Sequence, residues 1–275
     1  MTHTSDLINQ QKGFTLVEMA IVLMIVGLLL GGLLVPLSAQ MEQRNVTETR
    51  KQLDEIQQAL VGFAIINGRL PCPAQATVVT GQTNAGMEAF NGNTCTCLIL
   101  TGVNNTVADN SATKVACDLT ATAVTGVLPW VTLGVNETDA WGNRYTYRVT
   151  KDFADAVVSS TFTSNCPVGT TATQSSFALC SIGNLNVLSA APPAANTTIA
   201  SNVPTVIISH GKNGAGAYTQ QGIKLPVGGD LDEQENSDNN NSFVSHTFTP
   251  TFDDFVVWIS PNILINRMVA AGKLP

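Results

Sequence analysis

The sequence predicts an α+β protein: a long N-terminal helix, membrane-spanning in its first half, packed in its second half on an antiparallel sheet head with disulfide-stapled loops. Three observations predict it. An uncharged run extends from Met19 to Leu37, apolar residues recur at helical spacing from Val46 to Phe63, and the remainder combines short alternating strands with six cysteines.

The run from Met19 to Leu37 holds nineteen residues. At about 1.5 Å per residue it nearly matches a hydrocarbon core of about 30 Å, so Gly13 to Pro36 reads as a single span. Glu18 is the exception. A carboxylate roughly one turn inside such a helix is costly unless a partner neutralises it, and the alternative is that it snorkels to the headgroups of an ordinary signal anchor. Ahead of it Asp6 and Lys12 cancel, which does not fit the basic start of a secretory signal. A small-residue pattern at Leu37-Ser38-Ala39 leaves open a secreted product starting at Gln40, although the apolar run is too long for that class.

The order Lys12-Gly13, Phe14-Thr15-Leu16-Val17-Glu18 and then the apolar run resembles the prepilin leader of type IV pilins and type II secretion pseudopilins. The resemblance implies that residues 1–13 are a leader, which a prepilin peptidase removes between Gly13 and Phe14 before the new Phe14 amine is methylated. It also implies that Glu18 neutralises the Phe14 amine of a neighbouring subunit during assembly. The physics of that pairing is sound, because an amine and a carboxylate in a low-dielectric setting are stable only together. Prepilin peptidase and other pilin or pseudopilin subunits are the implied partners. The implied location is the inner membrane, crossed once, with the head in the periplasm and later in a filament.

Residues 14–37 form the membrane half of the helix and residues 38–67 the amphipathic half. Gly31, Gly32 and Pro36 predict local bending or melting between them, since Pro36 offers no amide to the Gly32 carbonyl. Val46, Leu53, Ile56, Leu60 and Phe63 then form one stripe, with charged residues on the other faces, and Asn67-Gly68 ends the helix.

Residues 68–275 form the head. Gly68 to Pro73 leaves the helix extended, and Thr/Asn/Gly-rich loops continue to about Thr125. The next strands are expected at Gly126 to Trp130 and, after a turn at Asp139 to Asn143, through Tyr145, Tyr147 and Val149 alternating with Thr146 and Arg148. That Trp141-Gly142-Asn143 turn is similar to the Trp-Gly-Asn-x-Tyr segment of major pseudopilins. Val168 to Ser201 reads as loop or short edge strand, Val203 to Ser209 as a strand turned by His210 to Gly214, Phe252 to Ser260 as a buried strand, and Pro261 onward as a short helix.

Cys72, Cys95, Cys97, Cys117, Cys166 and Cys180 all follow the span, which favours disulfides in an oxidising compartment. Cys166 with Cys180 closes a short Thr/Ser-rich loop, leaving the other four among themselves. A soft-metal site of Cys95 and Cys97 with Cys72 and Cys117 is the alternative. The formal charge of −7 argues against bulk nucleic-acid binding, and Arg144, Arg148 and Lys151 read as a solvated strand face.

Gly228 to Asn241 is acidic and reads either as a solvated loop or as a Ca²⁺ site. Major pseudopilins hold Ca²⁺ after a Ser-x-Gly-x-Asp-Gly turn, which Ser209 to Gly214 resembles with Asn in place of Asp, so the resemblance implies Asn213, Asp230, Asp232 and Asp238 as ligands. No catalytic pattern is visible: His210 and His246 sit beside turns, no Gly-x-Ser-x-Gly is present, and Asp253 with Asp254 should point to opposite faces of a strand. The sequence therefore indicates no enzyme. It indicates a structural subunit, a minor one because the head is long, of a type IV pilus or type II secretion pseudopilus; a membrane-anchored periplasmic binding module or adhesin is the alternative.

Overall fold

The computed structural model describes residues 13–97, 115–116, 123–156, 166–167, 170, 174–238 and 240–274, and for 30–38, 96–97 and 115–116 the backbone alone. The chain divides into two compact units, Met1–Val46 and Thr47–Pro275, and α1, Leu16–Asn67, contributes residues to both. The expected melting at Pro36 does not occur. The backbone is helical throughout, because one proline removes a single amide from a helix that propagates on either side of it.

In the first unit every described side chain from 13 to 29 is exposed, and most are large and apolar. Among the described residues no helix is long and apolar enough to cross a membrane. The uncharged run continues through residues 30–38, whose side chains lie outside the described residues.

In the second unit the stripe turns inward as its spacing predicts. Leu53, Ile56, Leu60 and Ala64 are all buried. Gly68 ends the helix in the left-handed region at φ 72°, its amide still bonded to the Ala64 carbonyl, and a side chain there would strike the Gln174 carbonyl oxygen.

The main sheet is antiparallel, ordered β3 (Ala123–Val127), β4 (Thr146–Thr150), β7 (Thr205–Ser209) and β9 (Phe255–Ile259). Tyr145, Tyr147 and Val149 are buried on one face as the alternation requires. The Tyr145 hydroxyl donates to Gln52 Oε1 of α1 at 2.6 Å, and the Tyr147 hydroxyl donates to the Pro71 carbonyl at 3.0 Å. Gln57 of α1 donates to the Trp258 carbonyl at 2.9 Å, occupying an acceptor on edge strand β9. On the other face Ala123, Val206, Ile208 and Val256 share a core with Leu185, Val187, Val203 and Phe243 of a second sheet.

That sheet is ordered β6 (Thr198–Val203), β5 (Leu185–Leu188) and β8 (Ser242–Val244). The main sheet is the antiparallel sheet expected; in the second, β5 and β6 are antiparallel and β5 and β8 are parallel. The chain between β5 and β8 is long enough for the crossover that a parallel pair demands. A third, two-stranded sheet joins β1 (Thr96–Cys97) and β2 (Val115–Ala116). Three short helices, α2 (Trp130–Leu133), α3 (Lys151–Ala154) and α4 (Leu231–Ser237), lie between strands, and α5 (Pro261–Ala270) follows β9.

The arginines correct the expected solvated face, because the second sheet and the loops cover them. Arg148 is buried, bonded to Thr125 and to Asn241 Oδ1. Arg144 is 0% exposed, with Nε on Glu137 at 2.9 Å, Nη1 on the Ala76 carbonyl, Nη2 on Thr80 Oγ1 and the Gln220 carbonyl, and its guanidinium 4.7 Å from the Trp130 ring. A guanidinium with its donors spent on three loop segments is a structural clamp. Arg144→Met leaves the Glu137 carboxylate, 12% exposed, without its cation and should lower the unfolding free energy by about 3 kcal/mol, measured by urea unfolding.

Asp155 ends α3, buried, with Oδ1 lacking a partner. Burial pushes its carboxyl up to about 6, against the pull of Lys151 and the Cys95 amide. A carboxyl raised on folding contributes stability that is present below its unfolded value near 3.8 and is lost as pH rises through about 6. Asp155→Asn should therefore raise stability by about 1 kcal/mol at pH 8, allowing for residual screening, and leave it nearly unchanged at pH 4, in paired thermal melts.

Candidate functional site

The first site is the start of α1. The Thr15 amide donates to Glu18 Oε2 at 2.8 Å, the Thr15 hydroxyl donates to the same oxygen at 2.9 Å, and the Glu18 amide donates back to Thr15 Oγ1 at 3.3 Å. This is a reciprocal capping box, with Thr15 at the cap and Glu18 three residues on. The Thr-x-x-Glu spacing is visible in the sequence but is hidden by the stronger pattern around it. Its effect is to fix the Glu18 carboxylate on the first turn, one oxygen occupied. Oε1 takes no donor among the described residues. Gly13 and Phe14 precede the helix, both exposed.

Among the described residues, disulfides join Cys72 to Cys95 and Cys166 to Cys180. Cys72 and Cys95 are thereby excluded from the alternative four-thiolate metal site. Cys117 and the side chain of Cys97 lie outside the described residues. Beside the first bridge, Arg69 makes a two-pronged contact with Glu88 at 2.8 Å and stacks on Phe90.

The four residues implied for Ca²⁺ have separate duties. Asp230 caps α4 through the Asp232 and Glu233 amides. Asp232 accepts the Ala191 amide at 2.6 Å and faces His246 Nε2 at 2.9 Å. Asp238 accepts from Asn240. Asn213 turns its amide nitrogen, a donor, toward Glu233 Oε1 at 2.6 Å. A hard cation needs converging oxygens, and these groups do not supply them. The expected flexible loop is in fact α4, with Asp230 supplying the start signal.

The structure brings together a different set. Glu233 of α4 and Asp253 and Asp254 before β9 each contribute a carboxylate oxygen within 4.8 Å of the others. The expectation that Asp253 and Asp254 diverge fails because the ladder starts only at Phe255, so the two-residue alternation of a strand does not apply to them. Asp253 Oδ2 accepts the Lys212 and Asn213 amides, both at 3.0 Å. Gly211, at φ 56°, allows that approach, since a Cβ would sit 2.3 Å from the Asp253 carbonyl oxygen.

His210 is fully buried. Its Nε2 lies 2.8 Å from Thr146 Oγ1 and its Nδ1 lies 3.7 Å from Asp254 Oδ1. Burial, with help from Lys224, pushes the imidazole down to about 4, while burial raises Asp254 well above the ordinary carboxylate range and raises Glu233 in the same direction. Both shifts disfavour the charged forms, so burial works against an ion pair between His210 and Asp254.

Residues 8–34 match the prokaryotic N-terminal methylation motif, the prepilin-type signal of type IV pilins and pseudopilins. No curated protein and no solved structure matches the chain.

The capping box separates two roles of Glu18. Glu18→Gln keeps an acceptor for Thr15 and should leave amide exchange at residues 16–19 near wild type in detergent. Glu18→Ala removes the acceptor and should speed that exchange several-fold, as measured by hydrogen–deuterium exchange.

Proposed function

We propose that the chain is a structural, non-catalytic subunit, and a minor one, of a type IV pilus or type II secretion pseudopilus. A prepilin peptidase removes residues 1–13 and the Phe14 amine is methylated. The 14–37 segment holds the subunit in the inner membrane, and the subunit leaves it for the filament when Glu18 meets the Phe14 amine of a neighbour. The single observation that carries this reading is the methylation motif at residues 8–34. Two features support it. The apolar side chains of residues 14–29 are exposed on all faces of the helix, a surface that requires lipid or other helices as its surroundings. The Glu18 carboxylate is held at the helix start with Oε1 available to a second donor.

The mass of the N-terminal peptide from host membranes tests it. The expected peptide begins at N-methylated Phe14, and Gly13→Val should leave Met1 in place by blocking cleavage. A wild-type peptide beginning at Met1 or at Gln40 would overturn the processing step. Glu18→Gln should insert in the membrane at normal levels and be missing from sheared filaments on immunoblots, because the amide keeps the cap but carries no charge.

A further inference from the structure

We propose that the outer edge of β6 pairs antiparallel with the β6 edge of a second copy of this chain. The contact lies wholly in the head and does not rest on the filament reading.

The first argument is a comparison of edges. The last strand of a sheet presents a row of unpaired N–H and C=O groups, and proteins block such rows with proline, charge, a bulge or a covering segment. The main and second sheets have four edge strands, β3, β9, β8 and β6. Three of them are blocked. Ala74 exchanges both backbone bonds with Val127 of β3, and Gln57 occupies the Trp258 carbonyl of β9. On β8, Asn236 donates to the Val244 carbonyl at 3.0 Å and accepts the Val244 amide at 2.7 Å.

β6 has no such cover among the described residues. The Thr197 and Asn202 carbonyls turn toward β5, to the Ser189 and Gly183 amides, and the Asn202 amide turns to Asn186 Oδ1 of β5. Thr198, Ile199, Ser201 and Asn202 are exposed, Ile199 at 47%. Thr198–Val203 contains neither a proline nor a charge. What fits such a row is another extended backbone. Two register shifts against β5 bend the strand, so the row is short and the pairing it offers is weak.

The second argument selects the occupant by charge. No Asp, Glu, Lys or Arg stands between Asp155 and Lys212, the stretch that supplies β5, β6 and β7, in a chain of formal charge −7. Two copies of an acidic protein repel, and this uncharged edge is where they approach without like charges meeting. It offers nothing to steer a charged partner. Identical strands laid antiparallel are self-complementary about a two-fold axis, so the contact closes at two copies. The added strand would also cover Ala200, half-buried against the core between the sheets.

The full chain carrying Ser201→Cys, treated with a short bismaleimide in host membranes, should give a covalent dimer. The yield should exceed by about tenfold that from Leu231→Cys, an equally exposed position on α4, because cross-strand neighbours stand within reach of the linker. Adding Ile199→Lys should abolish the dimer, since it sets a charge on the edge. For the wild-type chain in detergent, amide exchange across residues 198–202 should slow as protein concentration rises. If Ile199→Lys fails to fold, that exchange decides. Exchange independent of concentration would overturn the pairing, as would equal yields from the two cysteine positions or a dimer that survives Ile199→Lys. A link from Ser201→Cys to a different polypeptide in place of a second copy would overturn the choice of occupant.

Discussion

The head depends on β4 being buried on both faces. A strand in that position must find partners for its polar groups, and the stretch from Tyr145 through β4 finds them across most of the head, with Arg148 Nε the exception. Tyr145 and Tyr147 use their hydroxyls to hold Gln52 and the Pro71 carbonyl, Thr146 holds His210, Arg148 holds Thr125 and Asn241, and Thr150 holds Asn184. Each of these bonds is modest in net worth, but a buried donor or acceptor left without one is expensive. The arrangement therefore specifies which segments may lie against the strand. It also places His210, the residue after β7, within reach of the acids that precede β9.

How much of this is legible in the sequence follows from which periodicities are one-sided. The α1 stripe and the Tyr145-Tyr147-Val149 alternation are legible because a single apolar face decides them. So is the end of the helix at Gly68, where only a residue at ease with positive φ fits. The Cys166–Cys180 pairing was suggested by the short loop it closes. Arg144 and Arg148 are not legible, because their burial depends on loops and a second sheet that come from distant parts of the chain. Asp253 and Asp254 are misread for a related reason. Strand alternation begins only at Phe255, because the start of a ladder is set by the partner strand rather than by local propensity.

The two candidate sites stand differently. At the start of α1 the motif is plain in the sequence, and the structure adds the Thr15–Glu18 capping box, which explains how an exposed carboxylate is held in one orientation before any partner arrives. In the head, the sequence drew attention to Asn213, Asp230, Asp232 and Asp238, and local bonds consume them in capping, pairing and donating. Glu233 and Asp254, which no spacing in the sequence groups, approach each other from α4 and from the segment before β9, and His210 approaches Asp254 from the end of β7.

The account rests on Glu18 meeting the amine of a neighbouring copy. Filaments grown from equal amounts of light and heavy-nitrogen subunits, treated with a carbodiimide and digested, test it most directly. The account predicts an amide joining the Phe14-terminal peptide to the Glu18 carboxylate, with light-to-heavy links as frequent as chance pairing allows. Intact filaments yielding only same-copy links, or none at Glu18, would contradict it.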